Sequence, residues 1–565
     1  MIRARLGALV VLAMVAVAIT GVVATRTNAQ VETARRAVLV FLPNASFEEL
    51  MAMPDVAALA RAGGAALLAQ AEPLVDLLQH GVGVGEVRTV ADVRDANLAI
   101  LVERAASGAL FEDPDEVLVI VLGVNLSDPP AAAEGGIVMA RGDLSELFRE
   151  TGEQGSLTSD STRRDGVVAG DDVRATIEAY YGAQGSAGND ADAGEPIEIV
   201  EGPPPYQLYD RYLAQRRLYV PIGTAAALYV TGAGVAAIGF LARRDSVSAT
   251  LRRAAGWASL SVPMLAAGLL AAGHLPELSY ATAIPMIAIV TVFGTMAFSP
   301  LERVETTLVP SGIGIAILIA FVLEAASGWS GMLTPLLGGS QLDGARFFGL
   351  PNVALGLLVG SCLWIAHRLT TLAGFLLLCA AGLFAGLPFV GADLGGAITS
   401  FAAAGLWVAV RERARLGIVK GAAIALAVTA IGTAVILVSH ALSPFETHVT
   451  RFEQNADGLG GVIGTFLDRL EAGFDLIARN PVALVPVVGL PIALAVALRP
   501  PAPIRATFER WPAWRDAVVV TFVAGIVAYV VNDTGPAAAG LFFGLGLGGM
   551  LGVSLLASTG KMDAG

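Results

Sequence analysis

Cysteine and histidine are scarce in this chain of 565 residues, which has two of the first and five of the second. Both cysteines, Cys362 and Cys379, fall inside long apolar runs, so no disulfide framework supports the rest of the chain. Only His80 lies between residues 31 and 217. Charge is thin as well, at 15% against 55% hydrophobic residues, with a mean hydropathy of +0.68. That balance excludes a soluble multidomain chain. A phosphate loop, HExxH, CxxC, GxSxG and a Rossmann fingerprint are all missing, which removes the common nucleotide, zinc-protease, redox and serine-hydrolase chemistries. The glycines of 544–549 lie within the last apolar run, where they are expected to serve helix packing.

What is present is a series of long apolar runs, near 6–24, 218–241, 254–272, 280–298, 309–326, 351–367, 370–387, 394–410, 418–439, 481–498, 516–531 and 536–557. Each is about as long as a helix needs to cross ~30 Å of hydrocarbon. The expected fold is a mainly α-helical polytopic membrane protein of about 12 spans with a small α/β domain. Arginine falls in alternate gaps: Arg243, Arg244, Arg252, Arg253, Arg303, Arg368, Arg411, Arg413, Arg415, Arg499, Arg505, Arg510 and Arg515 share one side with Arg3 and Arg5. The opposite gaps beyond residue 217 hold only Arg346, Arg451, Arg469 and Arg479. The positive-inside rule puts the arginine-rich side in the cytoplasm and residues 31–217 outside a plasma membrane, with both termini inside if the first span is retained. Residues 1–30 read as a signal anchor or signal peptide, retention being favoured by the long apolar stretch. Residues 558–565 are expected to form a cytoplasmic tail.

Residues 31–217 carry 14 arginines, no lysine and 31 acids, a balance of −17 within the chain's −13. Such an acidic outer region argues against nucleic acid as partner. Its short apolar runs at Ala37–Leu42, Ala65–Ala69, Val117–Leu122 and Ile137–Ala140 read as buried strands. Phe47–Arg61 and Val173–Tyr181 read as helices, the second preceded by Asp171 and Asp172. These place an α/β domain over 31–182, a Gly-, Asp- and Pro-rich linker over 183–217 and a helix bundle over 218–557.

The stretch AVLVFLPNASFEEL, followed by MPDVAALARAGGAALL, resembles the opening of the alkaline-phosphatase/sulfatase superfamily. SLTSDSTRRDGVVAGDDVRATIEAYYG resembles the late part of that core. Together they resemble an uncharacterised family of bacterial multi-pass membrane proteins with a degenerate domain of that kind outside the membrane. Catalysis in the superfamily implies two metals, several Asp and His ligands and a Ser or Thr nucleophile. Here Pro43 and Asn44 stand where a metal-binding Asp is implied, and Ser161 follows Asp160 where the resemblance implies His. The domain is therefore expected to lack catalytic residues, metal and cofactor. Asp160, Ser161, Thr162, Arg163 and Arg164 remain candidates for holding an anion, because paired guanidinium groups match phosphate or carboxylate.

Four polar clusters interrupt the apolar half, at 344–352, 391–396, 443–452 and 532–536, and the topology sets all four at outer helix ends. The same family resemblance covers them. Charged residues near lipid are costly unless they face a cavity or one another. Arg346, Asn352, Asp393, Asn532 and Asp533 are expected to meet in one outward-facing polar pocket, with His448 and Arg451 as further candidates. An amphipathic helix near 459–479 is expected to lie on the outer interface. The expected function is binding, transport or presentation of an anionic envelope lipid, glycan or polymer beneath a catalytically inactive cap, with the bilayer itself as partner. The alternatives are an envelope phospho-substituent transferase, similar in layout to phosphoethanolamine transferases, and an assembly scaffold.

Overall fold

The computed structural model describes residues 35–43, 45–69, 87–91, 116–124, 135–142, 155–181, 194–202, 205–343, 347–443, 473–474, 477–478, 483–532 and 534–559. The expected first span lies outside them.

The N-terminal domain runs β1 (Arg35–Pro43), α1 (Phe47–Met51), α2 (Pro54–Ala62), β2 (Gly64–Ala69), β3 (Val87–Ala91), β4 (Glu116–Val124), β5 (Gly135–Gly142), β6 (Gly155–Ser159), β7 (Val167–Ala169), α3 (Gly170–Tyr180) and β8 (Ile197–Glu201). The strands make one mixed sheet in the order β3-β1-β4-β5-β2-β6-β8, with β7 pairing to β2. β1 is parallel to both its neighbours, β3 and β4, whereas β5 is antiparallel to β4 and β2. Alternation along the strands feeds two cores. Val38, Val40 and Leu42 pack with Phe47 and Leu59 on one face, while Ala37, Leu39 and Phe41 pack with Val173 and Ile177 of α3 on the other. The single helix expected over 47–61 divides before Pro54, which has no N–H to continue it and holds Met53 extended at φ −77, ψ 122. α1 is fixed by a capping box in which Ser46 and Glu49 bond each other's backbone N–H.

The segment expected as a linker, 183–217, is not one throughout its described part. Ile197–Glu201 closes the sheet as β8, antiparallel to β6, and Tyr206 already begins a helix. That helix, α4 (Tyr206–Ala242), runs as one element, with Pro221 inside it, from the α/β domain into the bundle. Its first turns place Tyr209 and Tyr212 in the core of the sheet, beside Leu342 and Phe347 from the bundle. Burial of aromatic rings fixes this chain direction, where the polar composition had suggested solvation.

The bundle continues with α5 (Ala249–Leu260), α6 (Val262–Ala271), α7 (Tyr280–Met296), α8 (Ser299–Val304), α9 (Leu308–Ala326), α10 (Leu355–Ala366), α11 (Thr371–Gly386), α12 (Leu394–Arg411), α13 (Arg413–Ala441), α14 (Leu484–Leu498), α15 (Ala502–Arg510), α16 (Pro512–Val531) and α17 (Gly535–Thr559). Every apolar run expected beyond residue 217 falls largely on one of these helices or on a bent pair. Among the described residues, 7 helices are long and apolar enough to cross a membrane, or up to 9 if each bent pair is one span. Asn352–Ala366 and Thr371–Gly386 are apolar but shorter, so a count of twelve is not reached by that measure. α5 and α6 bend by 42° ahead of Pro263, and α14 and α15 by 67° across a proline-rich turn. Exposed apolar side chains such as Phe293, Ile418 and Leu426 line α7 and α13, as helices facing lipid require. The protein is thus a helix bundle of membrane type joined to a small mixed-sheet domain.

Glycine governs packing inside the bundle. A Cβ on Gly548 would lie 2.5 Å from the Ser259 carbonyl, and one on Gly552 would lie 2.9 Å from that of Gly256, so α17 and α5 touch backbone to backbone. The two ends of the bundle differ. One is covered by the α/β domain. The other carries the arginines, joined across helices by Arg253–Glu302 at 2.9 Å, Arg368–Glu305 at 2.5 Å, and Arg413 and Arg411 on Asp516 at 2.7 and 3.4 Å.

Candidate functional site

The α/β domain meets the bundle through the turn Asp160–Gly166. Asp172, fully buried at the start of α3, organises that turn. Its carboxylate accepts from Ser159 Oγ at 2.6 Å, Ser161 Oγ at 2.7 Å, and the N–H groups of Ala169 at 2.8 Å and Glu195 at 3.0 Å. Burial raises its pKa, against the pull of those four donors. Thr162 is buried and donates to the Val167 carbonyl at 2.8 Å, whereas Asp160 is exposed. So braced, the turn drives two guanidinium groups toward the bundle.

Arg164 donates Nε to the Phe347 carbonyl at 2.8 Å and Nη2 to the Trp329 carbonyl at 3.2 Å and Gln341 Oε1 at 3.3 Å, while Nη1 reaches the Gly328 carbonyl. Arg163 Nη1 donates to the Pro388 carbonyl at 2.8 Å. Both guanidinium groups lie over the Phe348 ring, at 5.0 and 5.8 Å from its centroid. Burial lowers the pKa of Arg163 and takes that of Arg164 to about 10, with Glu324 opposing the second shift. Arg164 therefore stays charged at neutral pH. The acceptors the arginine pair was expected to find in an anion are supplied here by backbone carbonyls of the bundle.

Strain collects at the same junction. Among the described residues, three other than glycine have positive φ: Arg163 at 53°, Trp329 at 63° and Ala392 at 49°. Arg163 and Trp329 lie in this contact, and Ala392 follows Val390 and Gly391, which bond into it. Left-handed backbone costs a non-glycine residue ~1–2 kcal/mol, so the surrounding contacts must hold it there. Trp329 is enclosed completely. Its Nε1 donates to the Val390 carbonyl at 2.6 Å, and its ring meets Phe384 edge-on with centroids 5.8 Å apart.

Beneath this clamp three of the four polar clusters come together. Leu350 N donates to the Gly391 carbonyl at 2.8 Å, and a Cβ on Gly349 would lie 2.1 Å from that same oxygen. Gln341 Nε2 donates to the Gly349 carbonyl at 2.9 Å. A Cβ on Gly395 would lie 2.3 Å from Asn532 Oδ1, and one on Gly396 would lie 2.4 Å from Asp393 Oδ2. Asp393 starts α12 and is fully buried; Asn532 ends α16, 2% exposed. Asn532 Nδ2 donates to the Ala528 carbonyl at 2.9 Å, and its Oδ1 has no hydrogen-bond partner among the described residues. Asn352 stands in the short turn ahead of α10, in the same region. Arg346, Asp533, His448 and Arg451 lie outside the described residues, as does most of the helix expected over 459–479, of which Gly473 lies beside Tyr529 and Pro536.

Sequence reasoning missed several members of this region. Glu324 is buried within α9, accepts from the Gly331 N–H at 2.8 Å and bonds His274 Nε2 at 2.5 Å. A lone acid inside an apolar span was the available signal, since such residues are retained for a partner or a function. His440, fully buried, bonds the Gly386 carbonyl at 2.8 Å. Among the described residues, no group of three or more His, Cys, Asp or Glu is placed to hold a metal ion. The chain matches no protein-family model, no curated protein and no solved structure.

Proposed function

We propose that the protein binds an anionic envelope lipid, glycan or polymer at the capped end of its bundle, for transport or presentation, and that the α/β domain controls access without catalysing a reaction. The observation that carries this reading is the burial of Asp393 and Asn532 side by side with the 347–352 turn, directly under the domain's arginine clamp. Buried polar groups in a membrane bundle are expensive and are kept for a ligand path or a partner. The oxygen of Asn532 offers a ligand hydroxyl or amide an acceptor. In this reading Arg346 and Asp533 complete the pocket, the arginine-rich end faces the cytoplasm of a plasma membrane, and the α/β domain is a degenerate alkaline-phosphatase-like cap outside it.

Two measurements test the proposal. Cysteine labelling of intact cells is expected to modify Ser186→Cys and to spare Ser248→Cys; the reverse removes the orientation. Protein purified in native lipid should carry a bound anionic lipid or glycan by native mass spectrometry. The double variant Asn352→Leu with Asn532→Leu should lose it. Equal loading of the variant would exclude this pocket as the binding site.

A further inference from the structure

A second polar group lies far from the cap, in the core of the bundle near the arginine-rich end. Ser361, Trp364 and His367 follow one another at three-residue spacing along α10 and its C-terminal cap, so each neighbours the next on the helix surface. Trp514, in the first turns of α16, joins them. Its ring lies 6.1 Å from that of Trp364 and 5.0 Å from that of His367, centroid to centroid. All four are buried: Ser361 and Trp514 at 0% exposure, Trp364 at 1% and His367 at 7%. Yet Ser361 Oγ, both indole Nε1 atoms and both imidazole nitrogens have no hydrogen-bond partner among the described residues. The carbonyls of Trp364 and Thr307 approach the imidazole outside hydrogen-bonding geometry, and the first already accepts from Ser311 Oγ at 2.9 Å.

The two remaining fully buried tryptophans of the bundle behave differently. Trp329 Nε1 bonds the Val390 carbonyl at 2.6 Å and Trp407 Nε1 bonds that of Thr371 at 3.2 Å. The indoles of Trp364 and Trp514 instead meet at Gly549, where a Cβ would lie 3.0 and 3.1 Å from their Cζ2 atoms. Glycine at 549 lets both rings close onto the backbone of α17, where a side chain would be crowded out. A buried donor or acceptor left unmade costs about 1–3 kcal/mol, and five such atoms together would cost about as much as the whole stability of an ordinary folded chain. Native proteins meet this demand with water held by two to four polar groups.

We propose that Ser361, Trp364, His367 and Trp514 enclose a buried water site toward the arginine-rich end of the bundle. The site stops short of the capped pocket. One and two turns nearer the cap along α10 lie Leu358 and Leu355, and a Cβ on Gly396, beside the Asp393 carboxylate, would lie 3.2 Å from Leu355 Cδ1. Two apolar turns thus separate a hydrated recess at one end from a polar pocket at the other. If the capped pocket carries a ligand as proposed above, those leucines form the barrier the ligand or its accompanying ion must pass.

Hydroxyl-radical footprinting of the whole protein in lipid nanodiscs tests this without reference to any ligand. Radiolysis generates radicals wherever water resides, so a buried indole beside bound water is oxidised and a dry one is not. Trp364 and Trp514 are expected to oxidise several-fold faster than the equally buried Trp329 and Trp407. Equal rates across the four would overturn the proposal. Ser361→Ala, a change too small to prevent folding, should lower the rate at Trp364 and Trp514 alone. An unchanged rate there would also overturn it, whatever becomes of the capped pocket.

Discussion

The two ends of the bundle are fastened by different chemistry. At the capped end the contacts are between charged side chains and backbone carbonyls: Arg164 on Phe347 and Trp329, Arg163 on Pro388. They depend on glycine-permitted approaches such as Gly349 to Gly391 and on strained residues such as Trp329. At the arginine-rich end, side chain meets side chain, as with Arg413 and Arg411 on Asp516, and the arginines are partly solvated. A carbonyl has a fixed position, so the first end tolerates one backbone path. Asp516 is itself buried, but its arginine partners are long and partly solvated, so the pairing tolerates many chain paths and water replaces the lost carboxylate at small cost. Specificity of shape therefore resides under the cap, and specificity of charge at the opposite end.

Replacing Arg164 should separate the two ends most strongly. Arg164→Leu leaves the carbonyls of Gly328, Trp329 and Phe347 without their donor and is expected to cost about 3–5 kcal/mol. It should also release the α/β domain to limited proteolysis. Gly391→Ala comes next, because its Cβ would lie 2.3 Å from the Ala385 carbonyl; overpacking of this kind costs about 1–3 kcal/mol, read as a lowered unfolding temperature. Asp516→Asn is expected to cost about 1 kcal/mol, with a difference that shrinks in high salt. Ala392→Gly is the smallest and has the opposite sign, since glycine relieves the left-handed backbone at some cost in chain entropy; a gain of about 0.5 kcal/mol is expected. The comparison fails if Asp516→Asn proves as damaging as Arg164→Leu under the same thermal scan.

Hydropathy made the bundle legible, because lipid-facing and buried helices alike write continuous apolar runs. The buried strands β1, β2, β4 and β5 were legible for the same reason. β3, β6 and β7 were not, being short and paired with strands distant in sequence. β8 had a local signal, the alternation of Ile197 and Ile199 with Glu198, obscured by the polar stretch around it. The division at Pro54 was also readable from proline's missing donor. The arginine pair is more instructive. Residue type announced a need for planar acceptors at Arg163 and Arg164, but carbonyl oxygens of a folded chain and oxygens of a bound anion satisfy that need equally. Only three-dimensional placement tells them apart. Ser361, Trp364 and His367 carried no signal, since a serine, a tryptophan and a histidine at helical spacing read as ordinary core.

The length of α4 has a consequence for where the cap stands. Its 37 residues make a rod of about 55 Å at ~1.5 Å per residue, against ~30 Å of hydrocarbon. The surplus of about 25 Å extends past the length that hydrocarbon requires, and Tyr209 and Tyr212 fix this rod to the sheet. Pro221 interrupts the hydrogen-bond ladder partway along and is the weakest point of the rod. A residue at 221 that restored the missing N–H donor would therefore stiffen the rod that joins the sheet to the bundle.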